Sequence, residues 1–181
     1  MKLRTSFFNG KVLLKNLTRF APLWVLYTVG EVLGLMATDL DKEAAQIAAD
    51  LVKIMGPVSV FHMVYALLVA ACLFGDLFDS RMCNGLHAMP LKRKTIFGTD
   101  LVSGLLFSMV PTGIFCAASV PLLMNTCIVD AWLIAPWVFL GMNLSFLCFF
   151  GIAVFSALCV GNRFAMVAVY GILNFLSVLI L

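Results

Sequence analysis

Apolar runs long enough to cross about 30 Å of hydrocarbon recur along nearly the whole chain, and this repetition limits what it can fold into. A chain that is greasy in every long segment cannot hide them all inside a soluble core. Only 12% of the residues are charged and 63% are hydrophobic, against about a quarter charged in a soluble domain; the mean hydropathy is +1.08. These features predict an all-α polytopic membrane protein with about five transmembrane helices and one domain over 1–181. Unsatisfied backbone groups in lipid favour helices, in which every interior amide is paired within the segment.

Along the chain, Leu13, Leu14, Leu17 and Phe20 share one side of a helical wheel, and Lys11, Lys15, Thr18 and Arg19 share the other. This predicts an N-terminal interfacial amphipathic helix over 8–20. The first span is predicted over 21–38, with Pro22 in its first turn, where its missing N–H is tolerated. An outer amphipathic segment follows over 39–56, ended by Gly56-Pro57. The second span covers 57–75. A polar cytoplasmic loop, 76–98, leads to the third span over 99–124, where Pro111 is expected to produce a kink. The fourth and fifth spans cover 132–158 and 164–181. The last run is still apolar at Leu181, so a truncated chain is expected.

Cations set the orientation. Lys2, Arg4, Lys11, Lys15 and Arg19 precede the first span, Lys42 and Lys53 follow it, Arg81, Lys92, Arg93 and Lys94 follow the second, none follows the third, and Arg163 follows the fourth. The positive-inside rule then puts the N-terminus and the 76–98 loop in the cytoplasm, and the 39–56 segment outside. The net charge of +3 is accounted for by these loops and does not call for a nucleic-acid partner. The partners it points to are membrane lipids.

Catalytic motifs are missing from the sequence. It contains no G-x-x-x-x-G-K-[ST] phosphate loop, no H-E-x-x-H and no G-x-S-x-G. The six cysteines form no C-x-x-C pair, and His62 and His87 are assigned to opposite sides, so neither a metal nor a cofactor is expected. His62 is expected near the outer end of its span. Glu31 is the ionisable residue well inside a span. A charge there costs about 2.5 to 3.5 kcal/mol on insertion scales, so it is expected to face protein or water and marks a possible intramembrane polar site. Gly30 and Gly34 stand one turn apart and offer a helix-packing groove, as do Gly104 with Ser108 and Gly141 with Ser145. Asp76 and Asp79 are expected to be neutralised by Arg81 or by the cations 92–94.

The polar stretch RMCNGLHAMPLKRK, from Arg81 to Lys94, carries the strongest functional signal. Together with an amphipathic N-terminal helix, a span, an outer segment and a second span, it resembles the permease subunits of type 2 ATP-binding-cassette (ABC-2) transporters, particularly Gram-positive exporter-like permeases. In that family a short helix and a small-Leu-x-x-x-x-Pro-x-[KR]-[KR] stretch follow the second span. Pro90, Lys92 and Arg93 fit the Pro-x-[KR]-[KR] part, and Leu86 precedes Pro90 with three intervening residues, one fewer than the pattern.

The resemblance implies that residues 81–89 form a coupling helix docking on a separate ATP-binding subunit, with Arg81, Met82, Leu86, His87, Pro90, Lys92 and Arg93 as the ATPase-coupling residues. It also implies a second permease copy or a paired permease, and a bacterial cytoplasmic membrane. A short helix joined rigidly to two spans transmits partner motion better than a flexible loop. On this reading the chain is a transporter subunit and not itself an enzyme. A small solute-binding component of a vitamin-type uptake system would want an Ala-x-x-x-Ala face on the first span, which APLWVLYTVGEVLG lacks. An intramembrane enzyme would need clustered polar residues inside the spans, and Glu31, Asn143 and Asn174 are sparse in sequence.

Overall fold

Asn9 starts the first helix because its side-chain oxygen accepts the Lys11 amide at 3.0 Å, satisfying a donor that the first turn leaves without a partner. The computed structural model describes residues 9–36, 44–78, 93–125 and 131–180. Among these residues the chain is helical throughout: α1 Gly10–Arg19, α2 Ala21–Met36, α3 Ala44–Leu73, a 3-10 turn Gly75–Phe78, α4 Arg93–Asn125, α5 Ala131–Cys159 and α6 Arg163–Ile180. Two stretches are long and apolar enough to cross a membrane, Arg93–Pro121 in α4 and Ala135–Cys159 in α5.

The apolar surface of α5 is mostly outward. Only 22% of its most apolar window is buried, and Trp137 is 75% exposed on a face shared with Leu140, Leu144, Leu147, Phe155 and Leu158. A core helix of a soluble protein would bury such residues, since water penalises large contiguous apolar patches. Inward, α5 lies along α3 and α4, α2 and α1 lie along α4, and α6 flanks α5. Ala66 and Ala70 of α3 and Ala153 and Ala157 of α5 are all buried. Small side chains allow close approach of two backbones, which is how helices associate where lipid is the solvent. Phe146 and Phe150 fill the centre of this seam, stacked at 5.5 Å.

One sequence expectation about a helix break is corrected. Gly56-Pro57 does not end a helix: α3 runs from Ala44 to Leu73 through both residues, joining part of the 39–56 segment to the 57–75 span. A proline removes one amide and need not break a helix whose remaining bonds are kept. As expected of the third span, α4 continues through Pro111 and Pro121. Pro111 has no N–H to give the Phe107 carbonyl one turn earlier, and the Tyr65 hydroxyl donates to that carbonyl at 2.8 Å. The bond lost within α4 is replaced from α3. The loop assigned to 76–98 is also shorter than expected, because α4 already begins at Arg93.

The same end of the bundle gathers the start of α2, the end of α3, the first half of α4 and the start of α6. Arg19 Nη1 lies 4.0 Å from Asp76 Oδ2, and Arg163 Nη2 donates to the Gly75 carbonyl at 3.3 Å. Asp76 is thus met from α1; Arg81 and Lys92, to which the sequence reading had looked, and Asp79 itself lie outside the described residues. Both side chains of this ion pair are well exposed, so its contribution is small, on the order of 0–1 kcal/mol.

Candidate functional site

Above that end, α4 presents a polar face. Thr95, Thr99, Ser103, Ser108 and Thr112 are all buried; the first three repeat every four residues along one side of the helix, and the five-residue step to Ser108 carries the last two about 140° further round. The Thr99 and Ser103 hydroxyls donate to the carbonyls one turn back, at 2.7 and 2.8 Å, which satisfies them without a partner from another helix. The remaining capacity of this face is used to bind neighbours.

The lower part of the face holds α1. Asn16 Nδ2 donates to Asp100 Oδ1 at 2.8 Å and to Ser103 Oγ at 3.3 Å, and the Asn9 amide donates to Thr99 Oγ1 at 3.2 Å. Leu17 and Phe20 rest against the core, Phe20 edge-on to Phe107 at 6.5 Å, whereas Leu14 is exposed. The amphipathic helix is therefore fastened to α4 through a residue, Asn16, that the helical wheel assigned to neither face. In the middle, Ser108 Oγ donates to Asn143 Oδ1 at 2.9 Å, tying α4 to α5.

The upper part holds Glu31. Thr112 Oγ1 donates to Glu31 Oε1 at 3.3 Å, and the Tyr27 hydroxyl, one turn before Glu31 on α2, interacts electrostatically with the same carboxyl group. Glu31 is 6% exposed, and Tyr27 and His62 are 1%. Glu31 Oε2, Tyr27 Oη and both ring nitrogens of His62 have no hydrogen-bond partner. Buried polar atoms are nearly always paired, so four such atoms grouped around one aromatic stack identify this as the candidate site.

Its walls are rings. Tyr27 stacks on Tyr65 at 3.8 Å and on Phe61 at 5.2 Å, and its ring centre is 5.9 Å from that of His62. Glu31 lies ten residues beyond Ala21 and so about 15 Å up α2 at 1.5 Å per residue. His62, expected near the outer end of its span, lies four residues into the apolar stretch Val58–Leu73 of α3.

The other residues singled out from sequence fall as follows. Gly30 is filled from within the chain: a Cβ there would stand 2.7 Å from Phe61 Cζ of α3, which takes this face away from any second copy. Gly34 lies in the last turn of α2. Gly104 is covered by the Phe150 ring, while Gly141 has open space. Arg93 is the exposed first residue of α4; Arg81, Met82, Leu86, His87, Pro90 and Lys92 lie outside the described residues. Among the described residues no group of three His, Cys, Asp or Glu is placed to hold a metal.

The sequence reading missed the site as a group because Glu31, Asn143 and Asn174 were weighed alone. The usable signal was Tyr27 one turn from Glu31, together with the hydroxyl residues Ser108 and Thr112 one turn apart in another apolar run. Comparison with known proteins gives no match: no family model, curated protein or solved structure is significantly similar to this chain.

Proposed function

We propose that this chain is the permease subunit of an ABC-2 transporter, which moves its substrate across a bacterial cytoplasmic membrane with ATP hydrolysed by a separate subunit. The observation that carries the reading is mechanical. The segment bearing the family-like stretch leaves the 3-10 turn Gly75–Phe78 and re-enters at Arg93 directly into α4. At that same end, α1 is fastened to α4 through Asn16, Asp100 and Ser103 and is paired with Asp76 through Arg19. A partner pushing on residues 81–89 would act on α3 and α4 together and, through α1, on α2. Helices with such joints shift as rigid bodies.

On this reading α2, α3, α4, α5 and α6 are the five spans, α1 lies at the inner interface, and a second permease completes the pathway. The outward apolar surface of α5 and the grouping of Arg19, Asp76 and Arg163 at one end support it. Single cysteines at Lys42 and Lys92, in a cysteine-free background, are expected to label from opposite sides of intact cells. Labelling of both from outside would overturn the orientation.

The test of the function is partner retention. Leu86→Asp is expected to abolish co-purification of the ATP-binding subunit at matched membrane levels, because an unpaired charge would be buried in the partner's groove. Neutralising Lys92, Arg93 and Lys94 is expected to disturb insertion instead, since cations beside anionic headgroups contribute about 1 kcal/mol each. Full retention by Leu86→Asp would remove the main support for a transporter. An intramembrane enzyme gains one observation, the cluster of Tyr27, Glu31, His62 and Thr112; turnover of a lipid by the purified chain without a partner would establish that reading in its place.

A further inference from the structure

We propose that the outward face of α1, through Lys11 and Lys15, is a docking surface for anionic phospholipid headgroups, so that charge rather than the apolar side of the helix attaches α1 to the membrane. The surface rests on the placing of α1 at the inner interface, and not on the ATP-binding partner of the permease reading.

The first ground is where the apolar side of α1 goes. An amphipathic helix lying in the interface sinks its apolar face into lipid. In α1 that side is turned to the protein instead: Leu17 and Phe20 pack against the core, and between them and the helix start Asn16 donates to Asp100 and Ser103 while the Asn9 amide donates to Thr99. Of the four apolar side chains on its wheel, Leu14 alone is exposed, on a face with Lys11, Lys15, Thr18 and Arg19. One leucine is a weak anchor. The hold of this face on the membrane has to come from its cations.

The second ground is charge complementarity. At this end of the bundle the described carboxylates are Asp76 and Asp100, and both are engaged toward the protein, Asp76 by Arg19 and Asp100 by Asn16. No ion pair joins Lys11 or Lys15 to another described residue. The Thr18 hydroxyl is used within the helix, on the Leu14 and Lys15 carbonyls at 2.9 and 3.1 Å. The face therefore offers ammonium donors, which lack only acceptors. A phosphate group supplies both the acceptors and the opposite charge.

The third ground separates a lipid from an acidic protein segment. Past Phe20 the exposed side chains change from cationic to apolar, with Val25, Leu26, Val29 and Leu33 outward on α2. Cations followed along the chain by apolar surface match a phosphate followed by acyl chains, whereas an acidic segment would meet charge on α1 and find nothing to pair with on α2. Lysine stems can lie on apolar surface while their ammonium groups stay at the level of the phosphates, and the negative potential of the cytoplasmic leaflet attracts such cations.

The experiment attaches a fluorophore at Leu14→Cys in a cysteine-free background. The purified full chain is placed in phosphatidylcholine nanodiscs holding a small fraction of nitroxide-labelled phosphatidylglycerol or, for comparison, nitroxide-labelled phosphatidylcholine. Quenching by the anionic lipid is expected to exceed that by the zwitterionic lipid at the same mole fraction, and the excess to shrink as salt is raised, since exposed charges are screened. Lys11→Gln and Lys15→Gln are each expected to weaken the apparent affinity for phosphatidylglycerol about fivefold, and together to bring the two lipids close to equal quenching. Thermal unfolding of each variant monitors its fold. Equal quenching in the parent protein, or an excess that survives both substitutions, would overturn the surface. Absence of quenching by either lipid would overturn it together with the placing of α1. Loss of the ATP-binding subunit from the double variant, with no excess in the parent, would assign the face to that partner: the lipid surface would fall and the permease reading would stand. An excess in a chain that retains no partner would sustain the surface and remove only the transporter reading.

Discussion

Gly104→Leu is expected to keep α4 and α5 from closing. Even the first added carbon collides with the ring of Phe150, and that ring is locked in the central seam against Phe146. Overpacking a filled core costs about 1–3 kcal/mol per small insertion, and a leucine adds three further carbons in the same direction. Gly104→Ala should lower the unfolding midpoint in detergent by several degrees, at about 2–4 °C per kcal/mol for a chain of this size. Gly104→Leu should leave little folded protein. Gly104→Ala combined with Phe150→Leu should recover much of the loss, and the cycle should give a coupling of about 0.5–3 kcal/mol. Strict additivity of the two changes would mean that these residues do not meet.

Tyr27→Ala is expected to have the other large effect. The ring is buried against Tyr65 and Phe61, so its removal leaves a hole between α2 and α3. Truncating a buried aromatic costs about 3–5 kcal/mol, part of it from stacked pairs at about 0.5–1.5 kcal/mol each. Tyr27→Phe keeps the rings in place and removes an oxygen with no hydrogen-bond partner, so its stability should stay close to that of the parent protein. Unfolding in dodecyl sulfate separates the two. A Tyr27→Ala variant as stable as Tyr27→Phe would contradict the stack that closes the site.

Much of the architecture was legible because it depends on local properties. Helical hydrophobic runs, and the amphipathic pattern of Lys11 to Phe20, follow from the order of side chains and the need to pair backbone amides in lipid. The special standing of Glu31 was legible for the same reason: a carboxylate in an apolar run is costly wherever the helix packs. Other features had no local signature. Gly30, Gly104 and Gly141 stand in equivalent small-x-x-x-small patterns, yet the first meets Phe61, the second meets Phe150 and the third meets nothing. The pattern allows a close approach without saying which side chain arrives. Gly56-Pro57 reads as an interruption and Pro111 as a kink because proline's lost amide is a local fact, whereas the Tyr65 hydroxyl that serves the Phe107 carbonyl comes from a residue 42 positions away.

The sequence by its own pattern thus determined that the chain is helical, that its long segments are suited to lipid, and that Glu31 needs special surroundings. Those properties are sums over neighbours along one helix. Only the tertiary structure decided that Asp76 pairs with Arg19, that Asn16 holds α1 to α4, and that Thr112 meets Glu31 beside Tyr27 and His62. Each of these joins residues on different helices, whose relative rotation is set by which small residues let backbones approach and which rings fill the gaps.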